Sequence, residues 1–398
     1  MSGGGRRGRE SWRRRWRFMV DEGGKVVRGA VDIGAKCQEE AGEEGEEVGE
    51  EDGGALFENL GGNGLADEFL FLLLFAFNME FDKPVSVEFL CDLLLDENQP
   101  ISERFRAFSL SFIGRHPPAL NSLIRAMRDD STLLAYEAAY ELGRMQKPDA
   151  IPALKAVVED ISLHPIVRLK AAESLGAFGL EASVHVLETS FQSDPSQEVR
   201  DTCELALTRI RELKNATPDK LVYFEGLEPA PPVFRPIPEL REVLLNEDNS
   251  LYERCSALFT LRSLCLYPTG DTEEAFSAII ESLAAESPIL RHHIAYCLAQ
   301  LGDKNAFHAL SQVLQNASEH PMVRLKAVDA LNSIAHVEGL GSTTYCKCIE
   351  LLKEFAKDPE PIVSQSCEVA LRQLDFLGTN SCFQFSVDTR ALHTMGIR

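Results

Sequence analysis

The sequence predicts an all-α chain, a HEAT-like α-solenoid made of two copies of one unit of four helix pairs. Three observations carry this: a long internal duplication, a period of roughly 30 residues within each copy, and apolar residues three and four apart, as on one side of a helix. The duplication is legible residue by residue. His164-Pro165-Ile166-Val167-Arg168-Leu169-Lys170 recurs 156 residues later as His320-Pro321-Met322-Val323-Arg324-Leu325-Lys326, and Tyr136-Glu137 maps onto His292-His293 at the same spacing. Upstream, Glu103-Arg104 with Ala107-Phe108 matches Glu253-Arg254 with Ala257-Leu258 at a spacing of 150. Downstream, Asp194-Pro195 with Cys203-Glu204 matches Asp358-Pro359 with Cys367-Glu368 at a spacing of 164. The second copy has therefore gained eight residues, which the sequence places in a loop over residues 338–345. Alternating strand patterns are absent.

Taken in chain order, residues 1–84 read as a low-complexity, mostly disordered extension. Seven arginines and one acid lie between residues 6 and 17, and nine acids and no base between 39 and 52, both among glycines. Such segments bury too little apolar surface to offset the entropy of ordering. The arginine run admits three readings: a transit-like peptide, a basic docking arm, or an extension with no defined role. The apolar residues 69–77 are about ten too few to span a membrane and read as buried or interfacial. Residues 85–215 carry the first four helix pairs. Their apolar stripes include Ile151, Leu154, Val157 and Val158, then Ile166, Leu169, Ala172 and Leu175. Pro148, Pro152 and Pro165 stand near helix starts, where the missing N–H costs least, and Gly143 and Gly176 are expected to stop helices. Residues 216–235 form a proline-rich linker containing Glu228-Pro229-Ala230-Pro231-Pro232. Residues 236–378 repeat the four pairs, with Pro321 and Pro361 at helix starts and Gly302 at a stop, and 379–398 are a tail.

Composition narrows the function. Lys and Arg total 40 against 62 Asp and Glu, a formal charge of −22, so the body has no general attraction for nucleic acid or an anionic membrane and a basic partner fits better. The ten cysteines include no CxxC pair, the closest being Cys346 and Cys348. That spells out neither a disulfide framework nor a zinc knuckle, and reduced thiols in the cytoplasm are the simplest reading. No phosphate loop, nucleophile elbow or thiol–histidine pair stands out. His164 and His320 precede prolines at helix starts and read as structural.

The order and spacing of several segments resemble deoxyhypusine hydroxylase. They are Arg104-Phe105-Arg106-Ala107-Phe108 and its counterpart Arg254 to Leu258, Asp130-Ser131-Thr132-Leu133-Leu134, Arg168 and Arg324 after Pro-x-Val, Asp194-Pro195, Ser366-Cys367-Glu368-Val369-Ala370, and the linker's Glu228 to Pro232. The resemblance runs from about residue 85 to 377. It implies two iron ions and dioxygen, used to hydroxylate the deoxyhypusine side chain of eukaryotic initiation factor 5A. It also implies four His-Glu dipeptides, in the second helices of the middle two pairs of each half, that hold the irons between the halves. Neutral imidazoles and carboxylates with open positions are what oxygen-activating iron requires.

At the four matching positions this chain has Tyr136-Glu137, Leu169-Lys170, His292-His293 and Leu325-Lys326, none of them His-Glu. The family pattern gives each iron two histidines and one glutamate. Those places fall here to Tyr136, Leu169 and Lys170 in one half and to His292, Leu325 and Lys326 in the other. Leucine has no lone pair and a lysine ammonium no acceptor, so His292 is the one competent metal ligand of the six. The sequence therefore predicts a metal-free centre with no cofactor, in which ion pairs replace the metal bridge, either within a helix, Glu173 and Asp329 with Lys170 and Lys326 one turn away, or across the two halves. Glu137, at a position the resemblance assigns to facing the substrate amine, is the candidate ammonium contact, the alternative being a plain helix-surface carboxylate. His292 and His293 diverge by about 100° around their helix and are not expected to share one ion. Three functions follow as expectations: a non-catalytic relative gripping factor 5A or another basic protein, an active deoxyhypusine hydroxylase with altered ligands, or a scaffold for an unrelated partner. Oligomeric state is not legible.

Overall fold

The computed structural model describes residues 16–20, 25–30, 87–111, 117–217, 226–267, 272–378 and 385–386. The helical residues form one compact unit. Its helices are α1 (Val87–Leu95), α2 (Ile101–Phe105, continued by a 3-10 turn), α3 (Pro117–Ala126), α4 (Thr132–Met145), α5 (Ile151–Glu159), α6 (Pro165–Phe178), α7 (Val184–Ser193) and α8 (Gln197–Asn215). After the linker come α9 (Ile237–Leu245), α10 (Leu251–Leu266), α11 (Glu273–Glu281), α12 (Pro288–Leu301), α13 (Phe307–Gln315), α14 (Pro321–Glu338), α15 (Thr343–Phe355) and α16 (Pro361–Gly378). Among the described residues these make eight consecutive pairs, as an α-solenoid requires.

The pairs stack in two rows. First helices lie side by side, as α1 on α3, α5 on α7 and α9 on α11, while second helices run α4–α6–α8 and α10–α12–α14–α16. The second row also closes between the halves, because α8 packs on α10 and α12 and α16 packs on α2 and α4. Polar contacts mark these seams: Ser131 Oγ donates to Gln365 Oε1 at 2.7 Å, Ser102 Oγ to Glu368 Oε1 at 3.3 Å, and His320 Nε2 stands 3.7 Å from Glu198 Oε1. Enclosed by its partner helices, α6 is buried on more than one face. Val167, Arg168, Lys170 and Ala171 are buried along with the expected Ile166, Leu169, Ala172 and Leu175, so the one-sided stripe read from the sequence holds for α5 and not for α6.

A ladder of buried arginines ties successive pairs. Arg168 holds Asp194 with Nε at 3.0 Å and Nη2 at 2.8 Å. The partly buried Arg291 grips Glu319 at 2.8 and 2.7 Å, Arg104 pairs with Asp129 and Arg324 with Asp358, while Arg254 pairs with Glu247 inside its own helix pair. The guanidinium forks match the carboxylates two bonds at a time. Helix starts follow the sequence: Ser131, Ser196, Ser287 and Ser342 cap α4, α8, α12 and α15, and Ser250 with Glu253 forms a capping box on α10. His164 and His320 cap α6 and α14, each Nδ1 accepting a backbone N–H at 3.2 and 3.3 Å. These are the structural roles expected of them.

Two sequence expectations need correction. Gly302 does end α12 in the left-handed conformation, at φ 57°, but Gly143 and Gly176 lie inside α4 and α6. They permit close approach instead: a Cβ on Gly143 would stand 2.8 Å from Ser174 Cβ, and one on Gly176 2.9 Å from Ala206 Cα. The eight-residue gain falls mostly into helices, since α14 has 18 residues against 14 in α6 and α15 has 13 against 10 in α7.

Outside the helical unit, strands Trp16–Val20 and Lys25–Ala30 pair antiparallel and Phe385–Ser386 adds to the second, a small sheet that the sequence reading did not anticipate. The remainder of the expected extension, including residues 69–77, lies outside the described residues. No helix among the described residues is long and apolar enough to cross a membrane.

Candidate functional site

The second-helix row brings the four dipeptide positions to one place between the halves. Helix α4 contributes Tyr136 and Tyr140, α6 contributes Lys170 and Glu173, α12 contributes His292, His293 and Tyr296, and α14 contributes Lys326. They line a pocket of about 30 Å³, room for one or two waters. Glu137, Leu169 and Leu325 do not line it. Both leucines are 1% exposed and belong to the hydrophobic core on either side.

Each lysine is held by its own helix. Lys170 Nζ donates to Glu173 Oε2 at 2.7 Å and Lys326 Nζ to Asp329 Oδ2 at 2.8 Å, the pairs that the three-residue spacing predicts. Lys326 also reaches across to Glu137 Oε1 at 3.9 Å, and both ammoniums face the Tyr136 ring, at 4.9 and 5.2 Å from its centroid. Burial alone would lower Lys170 and Lys326, but the neighbouring carboxylates outweigh it and hold both above the ordinary lysine range. Glu173 is held below its ordinary value, the attraction of Lys170 overcoming burial. Glu137 goes the other way: burial pushes its carboxyl up to about 7 despite Lys326.

The histidines are neutral donors or acceptors here. Burial, then the charge of Lys170, drives His292 well below its usual value, and burial pushes His293 down to about 4. His292 Nδ1 sits 3.2 Å from the Met322 carbonyl, a contact that requires the proton on Nδ1 and leaves the lone pair on Nε2. The two rings lie 5.3 Å apart between centroids, with His292 also beside Tyr136 and α14 and His293 beside Phe259, 5.9 Å between centroids. The pocket is wide enough to include both. The Tyr136 hydroxyl is buried without a hydrogen-bond partner among the described residues, and burial raises its pKa.

These residues do not fit a di-iron centre. Of the six places that would donate to iron, two are core leucines, two are ammoniums held protonated, one is a tyrosine whose phenolate is disfavoured, and His292 remains. Among the described residues no three His, Cys, Asp or Glu side chains are grouped so as to hold a metal ion. Glu137 meets Lys326 of its own chain where the sequence reading placed an incoming amine.

Sequence reasoning missed the rest of the lining: Tyr140, Tyr296, Phe259 and the linker's Leu227, Glu228 and Pro229. A signal existed for the tyrosines, which stand 156 residues apart, one turn beyond Tyr136 and His292. The linker is pinned as a wall, with Arg262 donating to Glu228 at 2.9 Å, the Val233 N–H to Thr260 at 2.9 Å, and Arg209 to the Gly226 carbonyl at 2.7 Å.

The chain has close relatives. A profile for HEAT repeats matches residues 120–208 and 274–372. Deoxyhypusine hydroxylase-B of Oryza sativa subsp. japonica is 52% identical over 303 residues, which cover 75% of this chain and 95% of the rice protein. Deoxyhypusine hydroxylase of Arabidopsis thaliana is 51% identical over 308 residues, 75% and 93% of the two chains. Among solved structures, human deoxyhypusine hydroxylase in complex with glycerol is similar with a TM-score of 0.64 at 38% identity, covering 73% of this chain and 96% of the human one.

Proposed function

The chain belongs to the deoxyhypusine hydroxylase family, and from that premise we propose that it is a member without iron and without hydroxylase activity, acting as a protein-binding clamp. The observation that carries this reading is the pair of buried ammoniums, Lys170 and Lys326, salt-bridged to Glu173 and Asp329 where the family's iron ligands would stand. A cation placed against a metal ion repels it. Loss of outer hydrogen-bonding partners alone typically weakens metal binding tenfold to a hundredfold, and here five of six direct donors are replaced. The partner that fits is a basic protein presenting a lysine-bearing loop, such as initiation factor 5A in its deoxyhypusine form. Charge complementarity supports it: the chain carries −22, and opposite charge on a partner speeds and orients association.

The competing reading is an active deoxyhypusine hydroxylase, and the 52% identity to the rice protein favours it. The two are separated by metal analysis of the purified chain after incubation with ferrous iron, together with a hydroxylation assay on deoxyhypusine-bearing factor 5A. The expected result is far below one iron per chain and no product. About two irons per chain with turnover would establish the enzyme. A pull-down with the same factor then tests the clamp.

A further inference from the structure

The place of Lys170 is unusual for a lysine. Its Nζ donates to Glu173 at 2.7 Å and lies 4.9 Å from the centroid of the Tyr136 ring and 5.5 Å from that of Tyr140. Tyr136 and Tyr140 are one turn apart on α4, so their rings project from the same side of the helix. The Lys170 side chain is only 4% exposed. Aromatic faces combined with a carboxylate around a desolvated ammonium are the arrangement by which proteins recognise alkylammonium ligands. Phe259, Tyr296 and Glu228 line the same pocket and add two more rings and another carboxylate. The space left beside Lys170, about 30 Å³, is of the size that one or two waters fill.

We propose that this centre is an ammonium-binding cage that the chain fills with its own Lys170, so that an external alkylammonium group enters only when that side chain is removed or withdrawn. The ligand class is a primary or methylated alkylamine. Selection rests on charge and on the Tyr136 and Tyr140 faces, and Glu173 supplies the counter-ion. The proposal rests on the reading that lysines, and not iron, occupy the centre.

Truncating Lys170 to alanine removes three carbons and the nitrogen, so n-propylammonium has the shape of what is lost. Thermal melting of the full chain is measured with rising n-propylammonium chloride, using sodium chloride and 1-propanol as matched controls. For Lys170→Ala the melting temperature is expected to rise by several degrees and to saturate at millimolar amine. The wild-type chain and Lys170→Met, whose cages are filled, are expected not to respond. Lys170→Ala combined with Glu173→Gln is expected to need at least tenfold more amine. An equal response from wild type and Lys170→Ala, or propanol acting as well as propylammonium, overturns the cage. Lys170→Ser is a second truncation, and if both truncated chains stay unfolded with and without amine the cage is likewise overturned. Metal analysis of the same samples separates the two ideas: iron in the wild-type chain overturns the metal-free reading and the cage with it, whereas no iron and no amine response overturns the cage alone.

Discussion

Glu137 shows how one buried residue leaves a signature in the stability of the whole chain. Its carboxyl is pushed from 4.5 up to about 7, chiefly by burial. Between those values the unfolded chain has released the proton and the folded chain keeps it, so raising the pH through this window costs stability, up to roughly 3 kcal/mol. Above about 7 both states are ionised and the cost is constant. Glu137→Gln cannot ionise, so the difference in urea-unfolding free energy, wild type minus variant, is expected to fall between pH 4.5 and 7 and then level off. Subtraction cancels the histidine contributions, which run oppositely because His293 is depressed to about 4. A difference that stays flat with pH would show that Glu137 is not buried as described. At this scale the sequence was legible wherever partners are close along one helix: the pairs Lys170–Glu173 and Lys326–Asp329 follow from spacing alone. Where partners come from different halves, only the resemblance, which gathers the four dipeptide positions between the halves, pointed to a meeting. Nothing local announces that Lys326 approaches Glu137, that His292 faces Tyr136, or that Glu228 of the linker lines the same pocket.

Between helices, stability is set by the arginine ladder and by two small residues. Arg168 and Asp194 are each 2% exposed at the side chain. Removing one member strands a buried charge, so Arg168→Ala is expected to cost about 3–5 kcal/mol, read as a lower urea midpoint. Arg128→Ala, which removes a pair that is 49% exposed at the arginine, is expected to leave the midpoint unchanged. If both variants behave alike, the ladder is not what joins the pairs. Gly176→Ala would force a Cβ to 2.9 Å from the Ala206 backbone, where backbone must give, and overpacking of this kind costs typically 1–3 kcal/mol. A wild-type melting temperature in that variant would contradict the close contact of α6 with α8. The duplication and the 3-4 apolar spacing specify helix order and pairing well. They mislead at Gly143 and Gly176, because a glycine that ends a helix and one that admits a neighbouring helix look alike in a single sequence. The same limit explains α6, where burial on several faces erases the stripe that a surface helix would show.

At the level of the molecule, the two sets of four pairs meet at both ends of the second-helix row and again at the centre. The seam contacts are partly exposed: Arg372 with Glu103 is 54% exposed at the arginine, and His320 with Glu198 is 25% exposed on both sides. Pairs of that kind contribute little and are screened by salt. The centre differs, since Lys326 and Glu137 are 12% and 13% exposed and lie on opposite halves. Lys326 is therefore the charge through which one half responds to the other. Lys326→Met keeps the length of the side chain but removes the cation between Glu137 and Asp329; because Asp329 is 41% exposed and Lys170 still attracts Glu137, the cost is expected to be about 1–3 kcal/mol. Calorimetry of wild type is expected to show one cooperative transition, insensitive to a chelator. In the variant the transition is expected to shift down and to broaden or divide as the halves uncouple. Lys304→Met, which removes a pair that is 58% exposed at the lysine and confined to one half, is expected to leave the single transition in place. Should Lys326→Met and Lys304→Met melt identically, the halves are joined by apolar packing of α8 on α12 and α16 on α4, and the central charges are passengers in it.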